Sequence, residues 1–187
     1  MSAPTTVLSA LQGAVMVGLA GSRRPGDASV AACRALLEHL SPARSSVGDA
    51  DGIDRQIRAA LGPEALVMKA ETREPRHLIA RTMAHLRLVK RFAPKHIWVA
   101  FPDQRCPWHI GGPQQTWPPR PPAGTGPTVL RREVSGTWCG IAVARGWGIP
   151  TALYLPPGVA LPGWWPAFDA TEVPGWYTAF EGATWLS

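Results

Sequence analysis

The chain has 187 residues, 45% of them hydrophobic and 17% charged, with a net charge of +6 and three cysteines. That composition suits one globular domain and excludes charge-rich disorder, a collagen, a coiled coil and a small disulfide-stapled secreted fold. No apolar stretch approaches the ~18 residues of a membrane span, and no Lys or Arg precedes Arg23, so the basic start of a secretory signal is missing. A sparse, odd cysteine count fits a reducing compartment, and the expectation is a cytoplasmic protein without membrane contact.

The 19 basic residues all lie before residue 151, whereas residues 151–187 hold three acids, no base and four of the nine Trp. A basic surface favours phosphate-bearing partners, from nucleotides to nucleic acid. An arginine-rich coding bias with solvated faces accounts for the same count.

Residues 14–20 (AVMVGLA) form an apolar run that ends in Gly-Ser-Arg-Arg-Pro-Gly, the pattern of a buried parallel strand. A helix follows, with Asp27 or Ser29 as cap and a stripe of Val30, Cys33, Leu37 and Leu40. Cys33, on that stripe, reads as core. Residues 43–48 make a weak strand, 51–61 a helix that turns Ile53, Ile57 and Leu61 to one side, and 65–70 a third strand. Residues 75–92 make a longer helix with Ile79, Met83, Leu86 and Val89 inward, and 96–101 (HIWVAF) a fourth strand. Eight prolines between 102 and 127 then break the pattern, as no regular element survives that density. Residues 135–146 are a helix of small residues and 150–155 a fifth strand.

Five alternations of strand and helix predict an α/β fold: a Rossmann-like open, mostly parallel sheet of five or more strands flanked by helices. Residues 1–156 would form the domain, 103–134 a Pro-rich insertion suited to a lid, and 157–187 a Trp-rich extension. With Trp164, Trp165, Trp176, Tyr177 and Trp185, that extension should pack on the domain or on a second subunit.

Right-handed crossovers bring every strand-to-helix turn to one edge of the sheet, where ligands bind. The first turn is Gly21-Ser22-Arg23: a glycine for close approach, a hydroxyl and a guanidinium fork for phosphate. It lacks the G-x-G-x-x-G dinucleotide fingerprint. The second runs from Gly48 through Asp49, Ala50, Asp51 and Gly52 to Ile53 and Asp54. Two readings stand side by side. The glycines free helix amides for a ligand, with the acids on sugar hydroxyls, or Asp49 or Asp51 caps the helix. The last turn, Ser135-Gly136-Thr137-Trp138, is an anion cradle in which Trp138 stacks on a base or packs in the core.

Those three turns, G-S-R, G-x-A-x-G-I-D and S-G-T-W, resemble the SLOG superfamily in order and spacing over residues 14–155. That group takes in the DprA/Smf DNA-processing proteins, the LOG-type phosphoribohydrolases and the YspA-like proteins. Arg81 and Met83 resemble the R-N-x-x-M stretch of YspA-like members, with Thr82 in place of Asn. The resemblance implies a Rossmann-like domain, usually a homodimer or higher oligomer, that binds a nucleotide or a derivative such as ADP-ribose. Gly21, Ser22, Arg23, Gly48, Asp49, Ala50, Asp51, Gly52, Asp54, Arg81, Ser135, Gly136, Thr137 and Trp138 would form its site.

Gly140 stands where LOG-type hydrolases carry a glutamate. N-glycosidic hydrolysis would then need Asp49, Asp51, Asp54 or Glu133 as the carboxylate, with Asp54 and Glu133 the candidates to test. A third reading, DprA-like binding of single-stranded DNA, rests on Arg73, Arg76, Arg87, Lys90 and Arg91 around the third helix. Arg105, Arg120, Arg131 and Arg132, interleaved with Trp108 and Trp117, would suit a lid that stacks on bases. Cys106 and His109 have metal-ligand spacing but make half a site at most, so no metal is expected.

Overall fold

The computed structural model describes residues 2–72, 74–107, 110, 135–162 and 168–180. Glu133, His109, Trp108, Trp117, Trp164, Trp165, Trp185, Arg73, Arg120, Arg131 and Arg132 lie outside them, as does most of the predicted insertion. The helices are α1 (Thr5–Gly13), α2 (Asp27–Leu37), α3 (Ile53–Leu61), α4 (Pro75–Lys90) and α5 (Gly136–Gly146). The strands are β1 (Met16–Gly21), β2 (Ser45–Gly48), β3 (Leu66–Met68), β4 (His96–Phe101), β5 (Thr151–Tyr154), β6 (Asp169–Ala170) and β7 (Trp176–Ala179).

One seven-stranded sheet runs in the order β3-β2-β1-β4-β5-β7-β6. β1 to β5 are parallel, with Val17 opposite both Ser45 and Ile97, and β7 joins β5 antiparallel. The strand order reverses between β1 and β4, so the fold is Rossmann-like, as the alternation predicts.

Successive side chains of a strand face opposite sides, and the two faces build two cores. Val17, Leu19, Ile97, Val99 and Phe101 pack under α1, α2 and α3. Met16, Trp98, Ala100 and Leu153 pack under α4 and α5. Both faces are covered, which is why the parallel strands read as continuous apolar runs.

Three sequence expectations need correction. α1 was not foreseen; it carries no charge, so no polar face marks it, yet Val7, Ala10 and Leu11 are buried. In α2 the core takes Ser29, Ala32, Cys33 and Leu36, while Val30, Leu37 and Leu40 are only partly buried. Small side chains let α2 sit close, and closeness outweighs hydrophobicity in choosing the face. The cap of α2 is neither Asp27 nor Ser29: Gly26 holds that position. Asp103, from beyond β4, accepts from the Gly26 N–H at 3.0 Å and from the Ser29 hydroxyl at 2.5 Å.

Candidate functional site

β1 ends at Gly21 and β2 at Gly48, both at the C-terminal edge of the parallel sheet. The turn after β2 closes on the rest of the protein through Asp49. Its Oδ1 accepts from Arg81 Nη1 at 2.5 Å and its Oδ2 from the Ala70 N–H at 3.0 Å. One carboxylate thus ties the end of β2 to the end of β3 and to α4. Partial burial pushes the Asp49 carboxyl up, but the Arg81 and Ala70 hydrogen bonds outweigh it and hold it below its ordinary range. Arg58 secures the same turn from behind by donating to the Gly48 and Ala50 carbonyls at 2.7 and 3.0 Å.

Asp54 is buried at the start of α3 and accepts from the Gly21 N–H at 3.1 Å. Burial pushes its carboxyl up to about 6, against the pull of Arg81, the Gly21 N–H and Arg58. Gly48 makes this possible: a Cβ there would stand 2.4 Å from Asp54 Oδ2 and 3.2 Å from Arg81 Cζ. Gly21 is packed in the same way, 2.4 Å from the Ile53 side chain.

Gly52 has φ +74°, and a Cβ on it would meet the Ser22 carbonyl oxygen at 2.2 Å. That carbonyl accepts from the Ile53 N–H at 3.0 Å, so the first amide of α3 goes to the first turn. α3 has no side-chain cap. In the first turn the Ser22 hydroxyl accepts from the Arg24 N–H at 3.2 Å, and Arg23 is exposed.

On α4, one turn beyond Arg81, His85 is buried with Nε2 2.9 Å from the Ser46 hydroxyl. Ser46 donates that hydroxyl to the Val17 carbonyl at 3.3 Å, so Nε2 carries the proton. Burial, with the Arg81 charge adding to it, depresses His85 to about 3. The imidazole is therefore neutral, and its ring meets Trp98 edge-on at 4.8 Å. Ile79, expected inward, is half-buried; His85 shares the inner face with Leu86 and Val89.

The last turn serves α5. Ser135 Oγ accepts from the Trp138 N–H at 3.3 Å and caps the helix. Gly136 is exposed and Thr137 half-buried. Trp138 is a core residue whose indole N–H donates to the Gln104 carbonyl at 2.7 Å. Gly140 is buried against Trp98, which a Cβ would meet at 3.5 Å.

A cavity of about 260 Å³ opens over the ends of β2 and β3. Its walls are Arg23, Asp49–Asp51, Ala70–Thr72, Leu78 and Arg81. It brings together Arg23, Asp49, Ala50, Asp51 and Arg81 of the residues singled out in the sequence. Gly21, Ser22, Gly48, Gly52 and Asp54 are not among its walls, nor are Ser135, Gly136, Thr137 and Trp138. Sequence reasoning missed Ala70, Glu71, Thr72 and Leu78. They follow the third strand, and the rule that every βα turn shares this edge was the signal for them.

The cavity offers two guanidinium groups and three carboxylates, which suit an anion next to hydroxyl groups. Cys33, Cys106 and Cys139 have thiols pushed up to about 12 by burial, which leaves them unreactive. Among the described residues no group of three His, Cys, Asp or Glu could hold a metal ion. Among the described residues no helix is long and apolar enough to cross a membrane. Comparison with protein-family models, with curated proteins and with solved structures finds no match.

Proposed function

We propose that the cavity binds a nucleotide or nucleotide-derived small ligand. The observation that carries this reading is the joint presence of Arg23, Asp49, Asp51 and Arg81 on one cavity at the ligand edge of a Rossmann-like sheet. Arg23 is exposed and has no ion pair among the described residues. Its fork suits a phosphate. Arg81 is held by Asp49, so its role is to fix the carboxylates and to add positive charge at the floor. Asp49 and Asp51 suit sugar hydroxyls, since each carboxylate oxygen accepts more than one hydrogen bond. The volume lies just under the ~300 Å³ at the small end of ligand pockets. It suits a ribosyl phosphate with the base extending outward.

The test is a thermal-shift screen with AMP, ADP, ATP, NAD, ADP-ribose, cyclic nucleotides and a single-stranded oligonucleotide, followed by chromatography of each mixture. A ligand that binds only the folded state stabilises it by ~2.7 kcal/mol at a hundredfold excess over Kd. An intact nucleotide should give such a shift, and Arg23→Ala should remove most of it while leaving the unliganded Tm unchanged. A shift with released base would replace this reading with a LOG-type hydrolase. A shift only with the oligonucleotide would replace it with a DNA-binding one. A cytoplasmic homo-oligomer belongs to the same proposal, and light scattering at the 20.1 kDa monomer mass would refute that part.

A further inference from the structure

Arg81 has two carboxylate neighbours, and only one of them lies on the cavity. Asp49 shares the cavity wall and accepts the Arg81 hydrogen bond. Asp54 is 3% exposed and is absent from the wall. It comes close to the guanidinium because Gly48 has no side chain: a Cβ there would stand 2.4 Å from Asp54 Oδ2 and 3.2 Å from Arg81 Cζ. One cation thus serves a cavity open to solvent and a carboxylate closed to it.

Burial disfavours the Asp54 charge, and Arg81 is the strongest of the influences that oppose burial. From α4 Asp54 faces Arg81, with neutral His85 one turn further on. Its own helix contributes Arg58, α2 the Cys33 thiol and β1 the Gly21 N–H. An anion on the cavity wall draws on the same guanidinium. Its negative charge offsets the potential that keeps Asp54 ionised, and a buried carboxylate has little water to screen the change. The carboxylate then takes a proton from solvent, while Asp49 keeps its charge through the Arg81 and Ala70 hydrogen bonds.

We infer that anion binding in the cavity is coupled to protonation of Asp54, so that the site binds more tightly as pH falls. This rests on the nucleotide reading of the cavity and adds a regulation to it. Linkage is reciprocal: a ligand that raises the proton affinity of Asp54 is itself bound more tightly, by the same factor, once the proton is on. Without ligand, burial holds the Asp54 carboxyl at about 6, and the bound ligand moves it higher. Affinity for a ligand of fixed charge should therefore be level below that value, fall as pH rises toward the higher one, and be level again beyond it. About fivefold or more should separate the two levels, the low end for coupled sites.

The experiment is titration calorimetry with ADP-ribose, whose phosphates do not titrate near neutral pH, and with AMP. Measured between about pH 5 and 8 in two buffers of different ionisation enthalpy, it counts the protons taken up. Wild type should take up protons on binding ADP-ribose near neutral pH. Asp54→Asn, neutral throughout, should lose that uptake and keep the higher affinity at every pH. With AMP, whose own phosphate titrates near ~6, the variant should remove only the Asp54 share. The control is His77, whose Nδ1 lies 3.4 Å from Oε2 of the wall residue Glu71. His77→Gln should keep the uptake, and it decides the matter if Asp54→Asn does not fold. Uptake that survives Asp54→Asn, uptake that vanishes in His77→Gln, or none in wild type with binding intact would overturn the inference and leave the nucleotide reading standing. Failure of both nucleotides to bind at any pH would overturn the nucleotide reading, and the inference with it.

Discussion

Close to Arg81, two titratable side chains are buried where a parallel sheet ordinarily has none. Asp54 and His85 are both buried, and their acidities move in opposite senses. His85 titrates near 6.5 when unfolded and near 3 when folded. The folded state therefore binds fewer protons, and His85 costs stability as pH falls from about 6.5 toward 3. Asp54 moves from 3.8 to about 6 on folding. The folded state binds more protons, so Asp54 returns stability as pH falls from about 6 toward 4. Each limb has a slope of about 1.4 kcal/mol per pH unit for one proton, and between pH 4 and 6 the two oppose. Asp54→Asn should therefore lose stability faster than wild type on acidification through that window. His85→Gln, which can still bond Ser46, should gain relative to wild type over the same range. Urea denaturation at a series of pH values decides it. Parallel profiles for the two variants would mean that these groups do not carry the coupling.

Secondary-structure elements show how far a sequence reading reaches. β4 was legible to the residue because both faces of His96–Phe101 are covered and the run is unbroken. α1 was not, because a short helix without charge shows no amphipathic contrast. Arg23 and Arg81 were legible as residues of one sheet edge, and both line the cavity there. The Asp49–Arg81 pair was not, since its partners are 32 residues apart and meet only once α4 packs on the sheet. His85 was hidden for a related reason: a polar residue within an apolar stripe gives no local sign that Ser46 will satisfy it. The joint between elements that most depends on one residue is Gly52, where the first turn, the second turn and α3 touch. Its φ of +74° is strained for any residue with a Cβ, and the obstacle is backbone, which cannot swing aside. Gly52→Ala should cost about 2–4 kcal/mol, a fall in Tm of roughly 5–15 °C for a chain of this size. Gly62 provides the control: its φ is +69°, but nothing lies within 4 Å of a Cβ. Gly62→Ala should cost only the conformational strain. Equal losses in calorimetry would show that contact with the first turn contributes nothing.

At the scale of the whole molecule, the sheet divides into two halves with different tasks. The β1–β2–β3 half carries the cavity, whereas the β5 side is extended by β7 and β6 from the C-terminal segment. That segment is anchored by Trp176, which is buried and packs edge-on against Phe101 at 5.7 Å and tilted against Tyr154 at 5.5 Å. A second tie runs to the other end of the chain, where the Thr5 N–H of α1 donates to the Glu172 carboxylate at 2.5 Å. Because Trp176 joins the core under α1 and α2, its loss should be felt across the domain as a single cooperative event. Trp176→Ala should cost about 3–5 kcal/mol, the range for emptying a large aromatic from a packed site. It should lower Tm by roughly 10 °C or more. Cavity residues, on the far half of the sheet, should be indifferent. Any ligand that the thermal-shift screen finds for the wild type should bind the variant with the same Kd below its melting range, since changes at distant sites without shared partners add independently. An unchanged Tm would mean that the C-terminal strands sit on the domain without belonging to its core. A lowered Tm accompanied by weakened binding would mean that the two halves are coupled through β1 and β4, the strands they share.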